Sequence, residues 1–350
     1  MISPALIVLV CCLGQQGKPP QFFNQAAVKM MTYYQSGDPN QGREFLRDLL
    51  KPENINDPWF ANQEHVHQMM GAQLGDIAIG NTNIVREYES KFSQTTVIGK
   101  RILLRALWNC GDEQTVKVVN DWLADNSNAP VKSSLAELKA RLSSSHRKHI
   151  RNLSAKTPEE LDFLWTNFFV TGEYEPISRI LDAVDQQPAD GHPALQQAAT
   201  WSLRSNLRQH PWLVKIVGDR KEERKGQSKK LIDDALANAS IDEAMRSKFA
   251  QLQARQKIIG KWIADGDAKP SIEFFANGNV RIAHPADDKW WIGTFKLKDT
   301  TRIESQTVLG GATLGSHWRI EGETLVAPRG PNPRVIWTKS PAEKSSNRIN

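Results

Sequence analysis

The stretch Ile258-Ile259-Gly260-Lys261-Trp262-Ile263 marks the point at which the periodicity of the chain changes. Upstream of it, apolar residues recur at spacings of three and four, which is the period of an amphipathic helix. Downstream of it, apolar and polar residues alternate, which is the period of a half-buried strand. The sequence therefore predicts a chain of two parts, helices followed by strands, with the boundary after Gln256.

The strand part, residues 257–340, contains about eight short segments separated by turn signals. Asn277-Gly278-Asn279 is typical of a tight hairpin, and Glu321-Gly322-Glu323 indicates a second turn. Short antiparallel strands in this number are expected to close into a small barrel or a tight sandwich, because closure removes unpaired sheet edges. We expect three tryptophans on these strands to fill the interior of the barrel: Trp262, Trp318 and Trp337.

A resemblance to a known family is carried by the first predicted strand. Gly260-Lys261-Trp262 resembles the Gly-x-Trp motif of lipocalin- and avidin-like barrels. The segments 272–280 and 293–295 look like those of small lipocalin-like domains in secreted bacterial proteins. Barrels of this size also resemble bacterial metalloprotease inhibitors, which implies an inhibitor as an alternative function. Those inhibitors usually carry a disulfide, which this segment lacks.

The helical part, residues 22–256, contains a repeated figure: a bulky apolar pair, two residues, a glycine and an acidic residue. The glycines of three copies are Gly37, Gly111 and Gly172, and a looser copy centres on Gly80. Each glycine is expected to end one helix in the left-handed conformation, and the acidic residue to begin the next helix. The figure predicts an array of helical hairpins, with an ordinary helical bundle as the alternative.

One copy of the figure carries a second resemblance. The stretch from Thr171 to Pro188, with Gly172-Glu173-Tyr174 at its turn, resembles one tetratricopeptide unit. That family binds peptides and proteins in a concave groove. The resemblance therefore implies a helical array that presents a groove to a protein or a peptide.

The two ends of the chain lie outside the predicted domains. Residues 1–14 contain an uncharged run from Ala5 to Gly14, which is too short to span a bilayer and is typical of a signal peptide. We expect cleavage before Gln15, a linker over 15–21 and a disordered tail over 341–350. These features predict a secreted or periplasmic protein, with lipidation at Cys11 or Cys12 as an alternative.

The charge pattern favours acidic partners. The formal net charge is +6, and two stretches, 139–156 and 215–230, are strongly basic. Neither stretch interleaves aromatic residues, so a nucleic-acid platform is not expected. The bases that we consider for contact with an anionic surface are Arg147, Lys148, Arg151, Arg220, Lys221, Arg224 and Lys225.

Motifs for catalysis do not appear in the sequence. There is no phosphate-binding loop, no nucleophile elbow and no paired-cysteine metal motif. His65 and His67 are two residues apart, so on a helix they point in different directions and cannot bind one ion. We therefore expect no catalytic residue, metal or cofactor, and an exported binding or scaffold protein without a transmembrane helix. An enzyme whose site forms no motif stays as an alternative.

Overall fold

The computed structural model describes residues 20–144, 154–186, 193–265, 270–283, 289–327 and 335–340. It confirms the predicted order of helices followed by a closed antiparallel barrel. The last helix ends at Ile258 and the first strand begins at Gly260. The predicted signal peptide, the tail predicted to be disordered and three of the basic residues (Arg147, Lys148 and Arg151) lie outside the described residues.

Sixteen α-helices occur within the described part of the chain. The first ten are α1 (Gln21–Met31), α2 (Tyr33–Ser36), α3 (Pro39–Leu49), α4 (Pro52–Ile55), α5 (Pro58–Ala61), α6 (Glu64–Ala78), α7 (Thr82–Phe92), α8 (Val97–Cys110), α9 (Glu113–Ala124) and α10 (Lys132–Ser143). The others are α11 (Pro158–Thr171), α12 (Tyr174–Asp185), α13 (Pro193–Gln209), α14 (Pro211–Gly218), α15 (Gly226–Asn238) and α16 (Glu243–Ile258).

The helices build two separate hydrophobic cores rather than one. The first core lies among α1 to α10 and includes Val170 of α11, and the second lies among α11 to α16. The short segment α1–α2 belongs to both, because neighbouring residues point to opposite sides. Met30 and Tyr33 pack in the first core, whereas Met31 and Tyr34 pack in the second. Helix α6 packs most extensively on α8 and next on α11, so helices that are distant in sequence also stack side by side.

The barrel consists of eight antiparallel strands in sequence order, closed by pairing of the first with the last. Aromatic rings occupy its centre: Phe274 packs edge-to-face against Phe295 and Trp318, with ring centroids 5.0 and 5.9 Å apart. The strands are β1 (Gly260–Ala264), β2 (Ser271–Phe274), β3 (Asn279–Ala283), β4 (Trp290–Leu297), β5 (Arg302–Leu309), β6 (Ala312–Glu321), β7 (Thr324–Val326) and β8 (Ile336–Lys339).

The β2–β3 hairpin attaches the barrel to the helices. The side-chain amide of Asn277 donates hydrogen bonds to the backbone carbonyls of Asp76, Ile77 and Ile79, at 2.8, 3.1 and 2.9 Å. That of Asn279 donates to the carbonyls of Ile77 and Ile79. The last carbonyls of a helix find no donor within the helix itself. The barrel hairpin therefore caps the carboxyl end of α6.

A buried arginine completes this junction. Arg255 of α16 is 7% exposed, and its guanidinium donates to the carbonyls of Tyr34 and Ala276 at 3.1 and 2.7 Å. Burial lowers the pKa of Arg255 to about 10, and the electrostatic effects of Tyr33 and Glu173 act in the opposite direction. Arg255 thus links α2, α16 and the β2–β3 hairpin.

The repeated figure is present, but its three glycines do not share one conformation. Gly37 and Gly172 are left-handed, with φ of 51° and 66°. Gly111 is extended, with φ −62° and ψ 148°, so the expectation of a left-handed residue is wrong there. At that position Asp112 immediately begins α9 with a capping box to Thr115. A Cβ on Gly111 would lie 2.6 Å from the Leu107 carbonyl, so close packing explains this glycine.

Candidate functional site

A cleft of about 540 Å³ opens beside the second helical core. It lies between α13, α14, α15 and the segment that joins α15 to α16. Its floor is apolar, because Leu207, Val214 and Leu231 belong to that core and are 4–5% exposed. A ligand that enters the cleft would therefore place an apolar group on this floor.

Two arginines form one side of the cleft. Arg204 and Arg208 are four residues apart on α13, so they lie on the same face of the helix, and both are exposed. The opposite face of α13 carries the buried Leu203, which fixes the helix on its core. Neither guanidinium forms an ion pair with a carboxylate in the described part of the chain. The cleft therefore offers two unneutralised cations beside an apolar floor.

The α13 face with the arginines continues into an exposed tryptophan. Trp201, one turn before Arg204, is 40% exposed. Large apolar side chains on a surface are ordinary when scattered, but Trp, Tyr and Arg together are the residues enriched where proteins bind one another. Trp201, Arg204 and Arg208 form one stripe along α13, which we call the α13 stripe.

The remaining wall of the cleft is extended backbone. Ala239 and Asp242 have φ, ψ of −75°, 122° and −80°, 175°, so the segment between α15 and α16 resembles a short strand. The backbone N–H groups of Ser240 and Ile241 meet no acceptor in the part of the chain that the structure describes. Such groups can pair with the main chain of a bound peptide.

The predicted basic residues of the 215–230 stretch differ in how strongly other residues of the chain engage them. Arg224 is engaged internally: its guanidinium donates to Asp182 at 2.6 Å, to the Tyr174 hydroxyl at 3.2 Å and to the Ser178 carbonyl at 3.3 Å. Burial acts to lower the pKa of Arg224, but the hydrogen bonds to Asp182 and Tyr174 together outweigh burial, and the pKa is raised. Arg224 is therefore engaged by residues of the helical part itself.

The other bases of that stretch are closer to solvent. The Arg220 guanidinium lies 4.4 Å from the centre of the Tyr174 ring. Lys221 has carboxylates of Glu222 and Asp233 at 3.9 and 4.0 Å, which are weak surface pairs. Lys225 is exposed at the start of α15. The stretch therefore presents fewer unneutralised charges than its composition suggests.

The tryptophans predicted for the barrel interior are buried. Trp262, Trp318 and Trp337 are 3%, 6% and 8% exposed, and all three belong to the barrel core. The Trp262 indole donates to the Ile258 carbonyl at 2.7 Å, which joins the end of α16 to the first strand. These rings occupy interior space that a ligand would otherwise use.

The two histidines considered as metal ligands face different neighbours. His65 contacts Asp162 at 2.7 Å, and His67 contacts the Phe60 carbonyl at 2.8 Å. Among the described residues, no group of three or more His, Cys, Asp or Glu side chains is arranged to hold a metal ion. The thiol of Cys110 has its pKa raised by burial, which disfavours the reactive thiolate.

The sequence did not single out Arg204 and Arg208. The available signal was the α13 stripe, a tryptophan and two arginines at helical spacing on the face opposite the apolar residues. Charges on such a face are ordinarily solvated, so the pattern alone does not indicate a site. Leu207 of α13 supplies only part of the apolar floor; Val214 and Leu231 come from α14 and α15, about which the local pattern of α13 carries no information.

Comparison with known proteins gives no match: neither a family model, nor a curated protein, nor a solved structure matches the chain. Over the residues that the structure describes, no helix has the length and apolar character needed to cross a membrane. The structure itself shows a helical part followed by a closed eight-stranded antiparallel barrel.

Proposed function

We propose that the protein is an exported, non-enzymatic binding protein whose helical part holds a segment of a partner protein in the cleft. The observation that carries the proposal is the combination of an apolar floor with Arg204 and Arg208, two cations with no carboxylate partner in the described residues. Peptide sites commonly combine apolar pockets with a few polar groups that fix orientation.

The charge of the cleft indicates which kind of partner segment it would bind. Two guanidiniums beside an apolar floor favour a segment in which carboxylate side chains flank a large apolar residue. The extended wall at Ser240 and Ile241 favours a segment that is itself extended, because main-chain pairing requires that conformation. Asp234, which also lines the cleft, would repel a carboxylate placed next to it, so it sets the direction of the segment.

The barrel has an accessory role in this proposal. Its β2–β3 hairpin caps α6, far in sequence from α13 to α15. Burial of Trp262, Trp318 and Trp337 leaves aromatic packing in its interior, which supports a structural module. The lipocalin-like and tetratricopeptide-like resemblances support the same division, with a groove in the helices and a compact barrel beside it.

Export is the part of the proposal that rests on the sequence alone. The uncharged run from Ala5 to Gly14 supports a signal peptide. Expression of the full chain in a Gram-negative host, followed by fractionation and N-terminal sequencing, tests it. We expect a periplasmic product that begins at Gln15. A cytoplasmic product with an intact N-terminus would contradict export and leave the binding proposal untouched.

The experiment for binding uses a random peptide library displayed on phage, selected on the purified protein. We expect enrichment of peptides with Asp or Glu beside a large apolar residue. Two variants test the site: the double charge reversal Arg204→Glu with Arg208→Glu, and Ala235→Trp, which fills the cleft without changing charge. Each is expected to weaken the selected peptides by about tenfold or more, measured by fluorescence anisotropy.

A matched control introduces the same change of net charge at positions that do not line the cleft. Arg47 on α3 and Lys132 on α10 are exposed, and neither lines the cleft. The double variant Arg47→Glu with Lys132→Glu should bind the selected peptides like the unchanged protein. Equal loss in this control would show that net charge alone attracts the peptides, and the proposed site would be wrong. A library without enrichment would also overturn it.

A further inference from the structure

Strand β6 extends beyond the strand that covers its outer side. Residues 312–319 pair with β5, whereas β7 pairs only with Arg319, Ile320 and Glu321. Within the described part of the chain, residues 312–318 therefore have a strand partner on one side only, and we call their unpaired side the β6 edge. Because neighbouring strands alternate in direction, the β5–β6 turn beside this edge lies at the end of the barrel opposite to the β2–β3 hairpin that contacts the helices.

The backbone groups of three residues point outward along the β6 edge. Alternate residues of an antiparallel strand direct their N–H and C=O groups to opposite sides. The Ile320 N–H donates to the Thr301 carbonyl at 2.7 Å, so the even-numbered residues of β6 face β5. The odd-numbered residues Thr313, Gly315 and His317 face away from it, and their backbone groups meet no hydrogen-bond partner among the described residues. Such a row of unpaired groups is a template for another strand.

The composition of the β6 edge lacks the features with which proteins keep an edge unpaired. Those features are charged side chains, proline and bulges. Residues 312–318, Ala-Thr-Leu-Gly-Ser-His-Trp, contain no Asp, Glu, Lys, Arg or Pro. The first four of them, from Ala312 to Gly315, are all exposed. The edge is therefore suited to pairing with a strand from outside the barrel.

The β6 edge is complementary to itself. When two copies lie antiparallel with Gly315 opposite Gly315, Thr313 of each copy lies opposite His317 of the other. These are the three residues whose backbone groups point outward, so each of them gains a reciprocal pair about a two-fold axis. A Cβ built on Gly315 would meet no atom within 4 Å, so the centre of the edge is open to a second backbone.

The side chains around the β6 edge fit this register. Leu314 is 39% exposed, and the two copies of Leu314 become diagonal neighbours in a pair centred on Gly315. Like charges do not face each other, because Arg319, the nearest base on the strand, would lie opposite Gly311 of the second copy. Pairing therefore covers an exposed apolar side chain without opposing two cations.

We propose that the β6 edge joins two copies of this chain into a dimer whose barrels share one continuous antiparallel sheet. A second copy is the occupant because one register satisfies all three outward residues reciprocally and opposes no like charges. Residues 328–334, which follow β7 in sequence, include Pro328, Pro331 and Pro333, and proline has no N–H to donate to such an edge. The edge shares no residue with the cleft, so the proposal does not depend on the proposed function.

The test measures the mass of the full chain by sedimentation velocity over a range of protein concentrations. We expect a monomer that converts to a dimer as the concentration rises. Hydrogen exchange of the backbone amides of residues 312–318 should slow over the same range, because the outward N–H groups then have acceptors. A monomer at every concentration would overturn the proposal. Amides that exchanged slowly in that monomer would assign the edge to another segment of the same chain.

Two charged variants at the two-fold axis test the register. Gly315→Lys and Gly315→Glu each place two like charges directly opposite each other, and neither side chain meets an atom of its own copy at Cβ. Each is expected to weaken the dimer by about tenfold or more. An equimolar mixture of the two variants places Lys opposite Glu and should restore the dimer. Failure of the mixture to dimerise would show that Gly315 does not lie opposite Gly315.

Gln306→Lys is the matched control. Gln306 is exposed on β5 directly opposite Gly315 within the barrel, so this variant adds the same charge one strand away from the edge. It should dimerise like the unchanged protein. Equal weakening by Gln306→Lys and Gly315→Lys would attribute the effect to net charge, and the proposed edge would be wrong.

An uncharged variant tests the backbone pairing itself. Thr313→Pro removes one outward N–H, and that group does not bond to β5, so the barrel keeps its own ladder. We expect a weaker dimer with an unchanged circular dichroism spectrum. If Thr313→Pro kept the fold and dimerised like the unchanged protein, the pairing of residues 312–318 would be excluded.

Discussion

Gly278 in the β2–β3 turn lies directly against the backbone carbonyl of Gly37 at the end of α2. A Cβ built on Gly278 would come within 1.7 Å of that oxygen, and a Cβ built on Gly37 would overlap the guanidinium of Arg255. Both glycines have positive φ, 91° and 51°. Two backbones that are distant in sequence thus touch because both residues lack side chains. This contact joins the barrel to the seam between the two helical cores.

Replacement of Gly278 by alanine should be among the most destabilising changes in the chain. Alanine would be strained at a φ of 91° and would also overlap the Gly37 carbonyl, so we expect a loss of at least about 3 kcal/mol in the free energy of unfolding. Urea unfolding of the full chain measures it. Gly310→Ala is the control, because Gly310 also has positive φ (58°) but faces open space. It should lose only about 1 kcal/mol. Equal losses would show that the contact with Gly37 contributes nothing.

Because Asn277 caps α6, we expect asparagine and the nearly isosteric aspartate at this position to differ greatly in their effect on stability. Asn277→Asp replaces an amide donor with a carboxylate that faces the carbonyls of Asp76, Ile77 and Ile79. Asn277 is 2% exposed, so the repulsion is poorly screened, and we expect a loss of about 3 kcal/mol or more at neutral pH.

The loss caused by Asn277→Asp should shrink as the pH falls, because protonation of the introduced carboxyl group restores one donor. Urea unfolding at neutral and acidic pH measures this. Asn40→Asp is the matched control, since Asn40 is exposed near the start of α3. If Asn277→Asp were as mild as Asn40→Asp, the cap would be unimportant for stability.

A buried histidine predicts acid sensitivity. His210 is 3% exposed, and burial lowers its pKa from 6.5 to about 4. The neutral form is therefore the native one, and the unfolded chain binds the proton more readily. The contribution of His210 is complete above pH 6.5, falls as the pH decreases, and is lost below about pH 4. Its size is about 3 kcal/mol, given by the shift in pKa.

The measurement is the free energy of unfolding of the protein and of His210→Asn across this range of pH. The variant should show a shallower decrease between pH 6.5 and about 4. His317→Asn is the control, because His317 lies on the barrel surface with its side chain 66% exposed. Parallel curves for the protein and His210→Asn would show that other groups cause the acid sensitivity.

Two adjacent bases should differ in their effect on stability. Arg224 is held by Asp182, Tyr174 and Ser178, so Arg224→Ala should lower the free energy of unfolding by about 1–2 kcal/mol. The loss is not larger because Asp182 is half-exposed and its charge is screened by solvent. Lys225 is exposed, and Lys225→Ala should be within about 0.5 kcal/mol of the unchanged protein. Thermal unfolding compares them. If Arg224→Ala left the stability unchanged, Arg224 would again count among the bases available for an anionic surface.

Much of the local structure could be predicted from the sequence because its causes are local. The change of period after Gln256, the Asn277-Gly278-Asn279 turn and the strands that follow are set by neighbours along the chain. Gly37 and Gly172 are left-handed, as the repeated figure predicts, because a glycine after a helix end takes that conformation without the strain of a Cβ. Gly111 shares the figure but is extended, and Asp112 after it begins α9 with a capping box.

The candidate sites could not be predicted in this way. The α13 stripe alone resembles a solvated helix face, and only the positions of α14, α15 and the segment after α15 make it one side of a cleft. The chemistry of the cleft arises from side chains on three consecutive helices that only the tertiary structure packs around one opening.

The sequence by itself determined the order of helices and strands, the helix starts after Gly37, Gly111 and Gly172, and two barrel turns, because periodicity, capping and turn chemistry act over a few residues. Only the tertiary structure decided that Asn277 and Asn279 cap α6, that Gly278 meets Gly37, and that α1–α2 divides its side chains between two cores. Those contacts join segments that are distant in sequence, so no local pattern contains both partners. The carbonyls at the end of α6 in particular find donors only after the chain has brought the barrel hairpin into place.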